Sequence, residues 1–218
     1  MTRDCCRPDY DAVFGDRAAH RELAAYQRKG ATGTTRRLLE AIRESGVAGA
    51  RVLDIGGGVG VIGAELLHAG ASRLTDVDAS RPYLAVARRE IERRGFGERA
   101  TFMHGDFVEL ADAVEPAEIV TLDRVICCYG DWSSLVDRSL DRARRLYGLV
   151  YPRDRWWMRL SVATIRTVGR LFGQALPFHV HPEQAVDARI RAAGFEPIFA
   201  RRSIAWQTVL YRRASPQP

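Results

Sequence analysis

The chain has almost no lysine. Of its 33 lysine and arginine residues only Lys29 is lysine, so the formal charge of +6 is carried by arginine. The arginines are scattered rather than gathered into a run, which argues against a nucleic-acid footprint and favours a solvated basic surface. Long apolar runs are missing too. Nothing approaches about 18 consecutive apolar residues, so no membrane-spanning helix is expected. Met1 to Cys6 lacks the apolar core of a secretory signal, and a cytoplasmic protein is the expectation. Cysteine is sparse, four residues in two adjacent pairs, Cys5-Cys6 and Cys127-Cys128. Neighbouring cysteines rarely bridge each other, and neither pair has the C-x-x-C spacing of a zinc site. Reduced thiols and no metal are expected, with one tetrahedral site across both pairs as the alternative. With 46% apolar residues in 218, what is present suits one large α/β domain.

The richest stretch is Arg51-Val-Leu-Asp-Ile-Gly-Gly-Gly-Val-Gly60, a short apolar strand that breaks into glycines before a helix. Glycines let backbone approach a ligand where a Cβ would collide, and a helix start offers free N–H groups. Nicotinamide dinucleotides and S-adenosylmethionine are both held this way. Gly58-x-Gly60-x-x-Gly63 formally fits the dinucleotide fingerprint, with Asp78 at the distance of a ribose-binding acid. That register, however, puts Gly56 and Gly57 where the strand should still run. Asp54 is the second objection: a carboxylate near a strand end is costly to bury unless paired, and a bound amino acid's ammonium would pair it. S-adenosylmethionine is the preferred cofactor.

Strands and helices alternate from Arg51 onward, with strands near 51–55, 73–77, 100–104, 118–123 and 146–151. The intervening helices start near Val59, Ser80, Phe107 and Trp132. Alternation predicts a parallel sheet with helices on both faces. Phe195–Arg202 and Ile204–Arg212 then form an antiparallel hairpin. The expected fold is a Rossmann-like seven-stranded α/β sheet, mostly parallel, with that hairpin at its end. Residues 1–35 form a helical arm, including a helix over Arg17–Lys29, and residues 36–218 the main domain. Thr34 or Thr35 is the expected cap of the next helix.

These residues resemble the class I S-adenosylmethionine-dependent methyltransferases over roughly residues 36–212. Val52–Gly60 resembles their glycine motif, and Asp76-Val-Asp78-Ala-Ser80 the end of their second strand. Gly105-Asp106-Phe107 resembles the turn after their third strand, and Ile119–Val125 their fourth-strand motif. A narrower resemblance, to magnesium-protoporphyrin O-methyltransferases, rests on Arg28–Arg36, Asp123–Tyr129, Tyr151–Arg155 and Gly169–Phe172. The chain departs from that pattern after Asp123, where Arg124 and a Cys-Cys-Tyr replace a serine, an apolar pair and a His-Tyr. The resemblance implies an enzyme that transfers a methyl group to a small-molecule acceptor. O-methylation of a partly apolar acid is expected, with a tetrapyrrole propionate as one candidate. The alternatives are another oxygen, nitrogen or sulfur acceptor, a nicotinamide-dependent oxidoreductase, or a non-catalytic cofactor-binding module.

Each residue carries a role and a plain rival. Gly56, Gly58 and Gly60 would let backbone approach the methionine portion of the cofactor, with Asp54 beside them; simple turn formation is the rival. Asp78 would take both ribose hydroxyls, Asp106 the adenine amino group and Phe107 the ring face; helix capping is the rival for both acids. Asp123 would orient cofactor or acceptor, Tyr129 line the acceptor pocket and His181, beside His179, act as a base; core or loop packing is the rival. Tyr26, Arg28 and Lys29 would close over an acid group. The segment Asp154–Phe172 is amphipathic. Arg155, Arg159, Arg166 and Arg170 fall within about 60° at about 100° per residue, with Trp156, Trp157, Leu160 and Ile165 elsewhere on the helix. It reads as a helix packed on the sheet, a lid whose tryptophans wall the acceptor pocket, or a peripheral membrane contact.

Overall fold

The computed structural model describes residues 10–171 and 178–214. Cys5 and Cys6 therefore lie outside the described residues. Seven strands form one sheet in the order β3-β2-β1-β4-β5-β7-β6. They are β1 Arg51–Ile55, β2 Arg73–Asp78, β3 Ala100–His104, β4 Ala117–Asp123, β5 Ala143–Pro152, β6 Phe195–Arg202 and β7 Trp206–Arg213. Strand β7 runs antiparallel to both neighbours, whereas the pairings among β1 to β5 are parallel. The order turns back at β1 and β4, which opens a crevice at their carboxyl ends.

The helices are α1 Tyr10–Val13, α2 Asp16–Lys29, α3 Gly33–Glu44, α4 Val61–His68, α5 Arg81–Arg93, α6 Phe107–Leu110, α7 Trp132–Leu140, α8 Trp156–Leu171 and α9 Glu183–Ala192. Local chemistry sets several starts. The Ser80 hydroxyl accepts from the Tyr83 amide ahead of α5, with Pro82 in the first turn; Asp106 caps α6 and Asp131 caps α7. Helix α3 differs from expectation. It begins at Gly33 after Thr32, so Thr34 and Thr35 lie inside its first turn rather than capping it.

Strand β1 is buried from Val52 to Ile55, as suits a strand covered on both faces. One core joins Leu53, Val120, Leu149 and Tyr211 to α7 and α9. The other joins Val52, Ile119, Leu146 and Leu210 to α3 and α4. A third, small cluster seats the amino-terminal segment, where Ala19 meets Val59, Tyr83 and Val86, with Phe14 and Leu23 packed against them. Phe14 meets Tyr83 edge to face, the Ser80 hydroxyl donates to the Phe14 carbonyl, and Tyr83 donates to Glu22. The arm is thereby drawn over the carboxyl end of β1 and β2.

Candidate active site

A row of acids lies under the glycine loop. Asp54 on β1 is the register partner of Asp76 on β2 and of Thr121 on β4. All three are buried. The Thr121 hydroxyl donates to Asp54 Oδ1 at 2.7 Å, whereas Asp54 Oδ2 and both Asp76 oxygens lack a hydrogen-bond partner of good geometry. Burial pushes both carboxyls up from the usual aspartate range. The Thr121 bond restrains Asp54, and the neighbouring Asp54 and Asp78 charges drive Asp76 further. Gly57 has to be glycine here: a Cβ would stand 2.6 Å from Asp76 Oδ1. The loop therefore lies close over the acids, with its Gly56 amide bonded to the Val77 carbonyl.

Asp78, at the end of β2, accepts from the Ser80 amide at 2.7 Å and the Gly58 amide at 3.0 Å. It ties the glycine loop to the start of α5. Burial raises its carboxyl to about 6, with those two amides opposing the shift. Beyond β3, Asp106 accepts from the Val108 amide at 2.9 Å and from the Tyr129 hydroxyl at 2.8 Å, and Phe107 is buried alongside. Beyond β4, Asp123 accepts from the Thr35 hydroxyl and from Arg124 Nε. Arg124 has φ 62°, the one non-glycine residue with positive φ among the described residues. That region costs an L-residue about 1–2 kcal/mol. The Cys127 thiol, raised by its bond to Cys128 and by burial, points back to the Arg124 carbonyl at 3.2 Å; that same bond lowers the Cys128 thiol.

These strand ends surround one cavity of about 350 Å³. Asp54, Gly56 to Val59, Asp78, Asp106 and Phe107 form its floor, and Asp123, Arg124, Cys127, Cys128 and Tyr129 one wall. Tyr10, Phe14, Glu22 and Thr35 close it from the arm, with Phe178 and Trp206 at another side.

Residues 52–147 match a family model described as a methyltransferase domain. Over that stretch, which holds the first four strands and the glycine loop, the chain is similar to methyltransferase domains. In sequence it is 29% identical over 143 residues to release factor glutamine methyltransferase of Chlorobaculum tepidum, covering 63% of this chain and 48% of that protein. The chain thus spans about half the length of that curated relative. Its fold is similar to magnesium protoporphyrin IX methyltransferase from Synechocystis PCC 6803, solved with bound SAH, with TM-score 0.64, 19% identity and coverage of 95% and 89% of the two chains. An O-methyltransferase family protein from Burkholderia thailandensis gives TM-score 0.71 at 16% identity, covering 95% of this chain and 64% of that one.

Several expected site residues stand elsewhere. Gly60 does not line the cavity; its φ is 80°, and a Cβ there would meet Ala87 at 3.2 Å, so it lets α5 approach the loop. His181 is buried beside His179 and Trp132, and its Nε2 bonds the Ile126 carbonyl at 2.7 Å, away from the cavity lining. Burial also holds its pKa below the usual histidine value. It secures the turn Ile126–Cys128 instead of facing a substrate. Tyr26 is buried and donates to Glu65, while Arg28 and Lys29 are exposed; none of the three reaches the cavity. Among the described residues, the segment expected as a lid does not border the cavity: Trp156 is 77% exposed, and no described side chain of α8 lines it.

The structure also brings in residues the sequence reading passed over. Tyr10 and Phe14, four apart on and beside α1, present their rings on one side, a spacing that was visible. Thr35 and Trp206 carry no comparable signal, because each reaches the site only through long-range packing.

Proposed function

We propose that this domain takes S-adenosylmethionine as methyl donor and methylates an oxygen of a small, partly apolar acid. The observation that carries the acceptor class is the lining of the cavity, which Arg124 shares with the aromatic side chains of Tyr10, Phe14, Phe178 and Trp206. An arginine fork suits a carboxylate, and aromatic faces suit the rest of such a molecule. The strained backbone at Arg124 supports the same reading, since strain of this kind collects where side-chain placement matters. A tetrapyrrole propionate is the specific candidate, in keeping with the likeness to magnesium protoporphyrin IX methyltransferase.

The donor fits the floor of the cavity. The unpartnered Asp54 Oδ2 suits its ammonium, Asp78 its ribose hydroxyls, and Asp106 with Phe107 its adenine. When bound, it supplies a methyl group already activated by a sulfonium. The chain's own contribution is alignment and exclusion of water. Tyr10 and Phe14 cover the cavity, and Asp123, held by Thr35 and Arg124, fastens the wall to the start of α3. Tyr129 fixes the Asp106 carboxylate through its hydroxyl. A carboxylate acceptor is ionised at neutral pH and needs no general base.

Incubation with methyl-labelled S-adenosylmethionine, a metabolite extract and, separately, magnesium protoporphyrin IX tests this. A labelled, alkali-labile ester is the expected product. Arg124→Ala should raise KM for that acid by about tenfold or more, the scale of a lost charged hydrogen bond, with donor affinity unchanged. A labelled N- or S-methyl product would replace the acceptor class. Tight NAD binding without S-adenosylmethionine binding would overturn the donor.

A further inference from the structure

Helix α8 shows its apolar side to solvent. Trp156 is 77% exposed, Leu160 61%, Ile165 44% and Val168 45%. At about 100° per residue these four, with Trp157 among them, cover one half of the helix. Met158, Val162 and Arg166, on the other half, are partly buried, as is Trp157. A helix merely packed on the sheet would be oriented the other way.

A second exposed apolar residue is tied to the start of this helix. Ile204, at the tip of the β6–β7 hairpin, is 83% exposed. The Arg153 amide donates to the Ala205 carbonyl at 2.8 Å, and Arg153 Nη1 to the Ser203 carbonyl at 3.1 Å. The residues on either side of Ile204 are therefore bonded to the strand end that leads into α8. The two most exposed large apolar side chains among the described residues, Trp156 and Ile204, rest on segments held together.

The charge around this surface is net positive. From Arg155 to Pro182 the sequence contains four arginines and no acidic residue. Arg155 and Arg159 are exposed and, at about 100° per residue, fall on the half of α8 opposite its apolar side. The flanking acids are neutralised: Asp154 by Arg159, and Glu183 by Arg153 and Arg202 at 3.9 and 3.6 Å. Arg201, beside the hairpin tip, is exposed as well.

We propose that α8 and the β6–β7 tip form a peripheral docking surface for a bilayer containing anionic lipid. An apolar side with a tryptophan, backed by arginines on the other face and free of acids along the helix, is the pattern of a helix lying in a membrane interface. A second copy of the chain fits less well, because a two-fold contact through this face would set basic surface against itself. The cavity lies next to this surface: Trp206 follows the hairpin tip, Phe178 follows α8 in sequence, and both line it. Docking would turn that side of the cavity toward the lipid, from which an apolar molecule can enter. The proposal concerns attachment and stands apart from the identity of the methyl acceptor.

Vesicle co-sedimentation of the full chain tests it, using phosphatidylcholine alone and phosphatidylcholine mixed with phosphatidylglycerol. The mixed vesicles should pellet the protein in a salt-sensitive way and shift its tryptophan emission to the blue; neutral vesicles should bind far less. Trp156→Glu and Ile204→Glu should each weaken binding by about tenfold or more, the scale of one apolar side chain kept out of lipid. Both should keep wild-type affinity for S-adenosylhomocysteine. Failure of the wild-type chain to bind mixed vesicles at low salt, or undiminished binding by both variants, overturns the proposal. Equal binding to neutral vesicles overturns the anionic preference. A wild-type dimer that Trp156→Glu converts to monomer, without lipid binding, assigns the face to self-association instead.

Discussion

One carboxylate at the end of β2 serves two parts of the protein before any ligand arrives. Asp78 holds the amides of Gly58 and Ser80, so it shapes the glycine loop as well as presenting itself to the cavity. Removing it leaves two backbone donors without their acceptor, at about 1–3 kcal/mol each. Asp78→Ala should therefore lower the melting temperature of the free chain and also weaken donor binding. Asp78→Asn, which retains one acceptor oxygen, should recover part of the stability and less of the affinity. Calorimetry with S-adenosylhomocysteine and thermal melts on both variants separate the two effects. Unchanged affinity in the stable Asn variant would remove Asp78 from the donor site.

Among the elements, the turn Ile126–Cys128 shows how a residue type that invites a catalytic role can be structural. His181 sits on the segment before α9 and reaches across to the Ile126 carbonyl, under the wall that carries Cys127 and Tyr129. Without the imidazole that buried carbonyl loses its side-chain partner, at a cost of about 1–3 kcal/mol. His181→Ala should lower the unfolding midpoint in urea while kcat per folded molecule stays within about twofold of the parent. A loss of kcat by about a hundredfold in the folded variant would restore a catalytic role. Helix α8 shows the converse. A sequence periodicity that suits a packed helix equally suits one whose apolar side is left outward, because periodicity records which residues share a side and not which side is covered.

Across the whole molecule, the acids under the glycine loop set a pH dependence. Asp54, Asp76 and Asp78 are all held above the usual aspartate value, chiefly by burial. A carboxyl whose pKa is raised by folding binds its proton more tightly in the native state, so its stabilising contribution is present at low pH and is lost as pH rises. The free chain should lose stability from about pH 4, the unfolded aspartate value, upward. The loss should run through about 6, where Asp78 titrates, and beyond it as the coupled pair ionises. Glu90, held down to about 2 chiefly by its bond to Arg93, acts in the opposite sense below that interval, and His179 and His181, held below the usual histidine value chiefly by burial, act in the opposite sense within it. A donor ammonium beside Asp54 favours its ionised form, so ligand-induced stabilisation should grow over the same range. Thermal melts across that range, with and without S-adenosylhomocysteine, check both trends. A free-chain slope that Asp78→Asn leaves unchanged would contradict the burial of these acids.

The alternation of strands and helices, the terminal hairpin and the glycine motif are local in sequence, and they determined the architecture and the cofactor class before any coordinates. Strand boundaries moved by only a few residues, as at β5, which begins at Ala143 rather than near Leu146. That Asp78, Asp106 and Phe107 would meet at one edge was legible because each stands at or just past a strand end, and strand ends in a parallel sheet share one edge. Only tertiary structure decided which side chains complete the cavity. Thr35 meets Asp123 across 88 positions of chain, and no periodicity encodes such a pairing. It also decided that His181 is turned under its loop, that Gly60 makes room for a helix, and that α8 stands with its tryptophan outward. Composition sets what a residue is able to do; burial and neighbours, which belong to the folded chain as a whole, set which of those things it does.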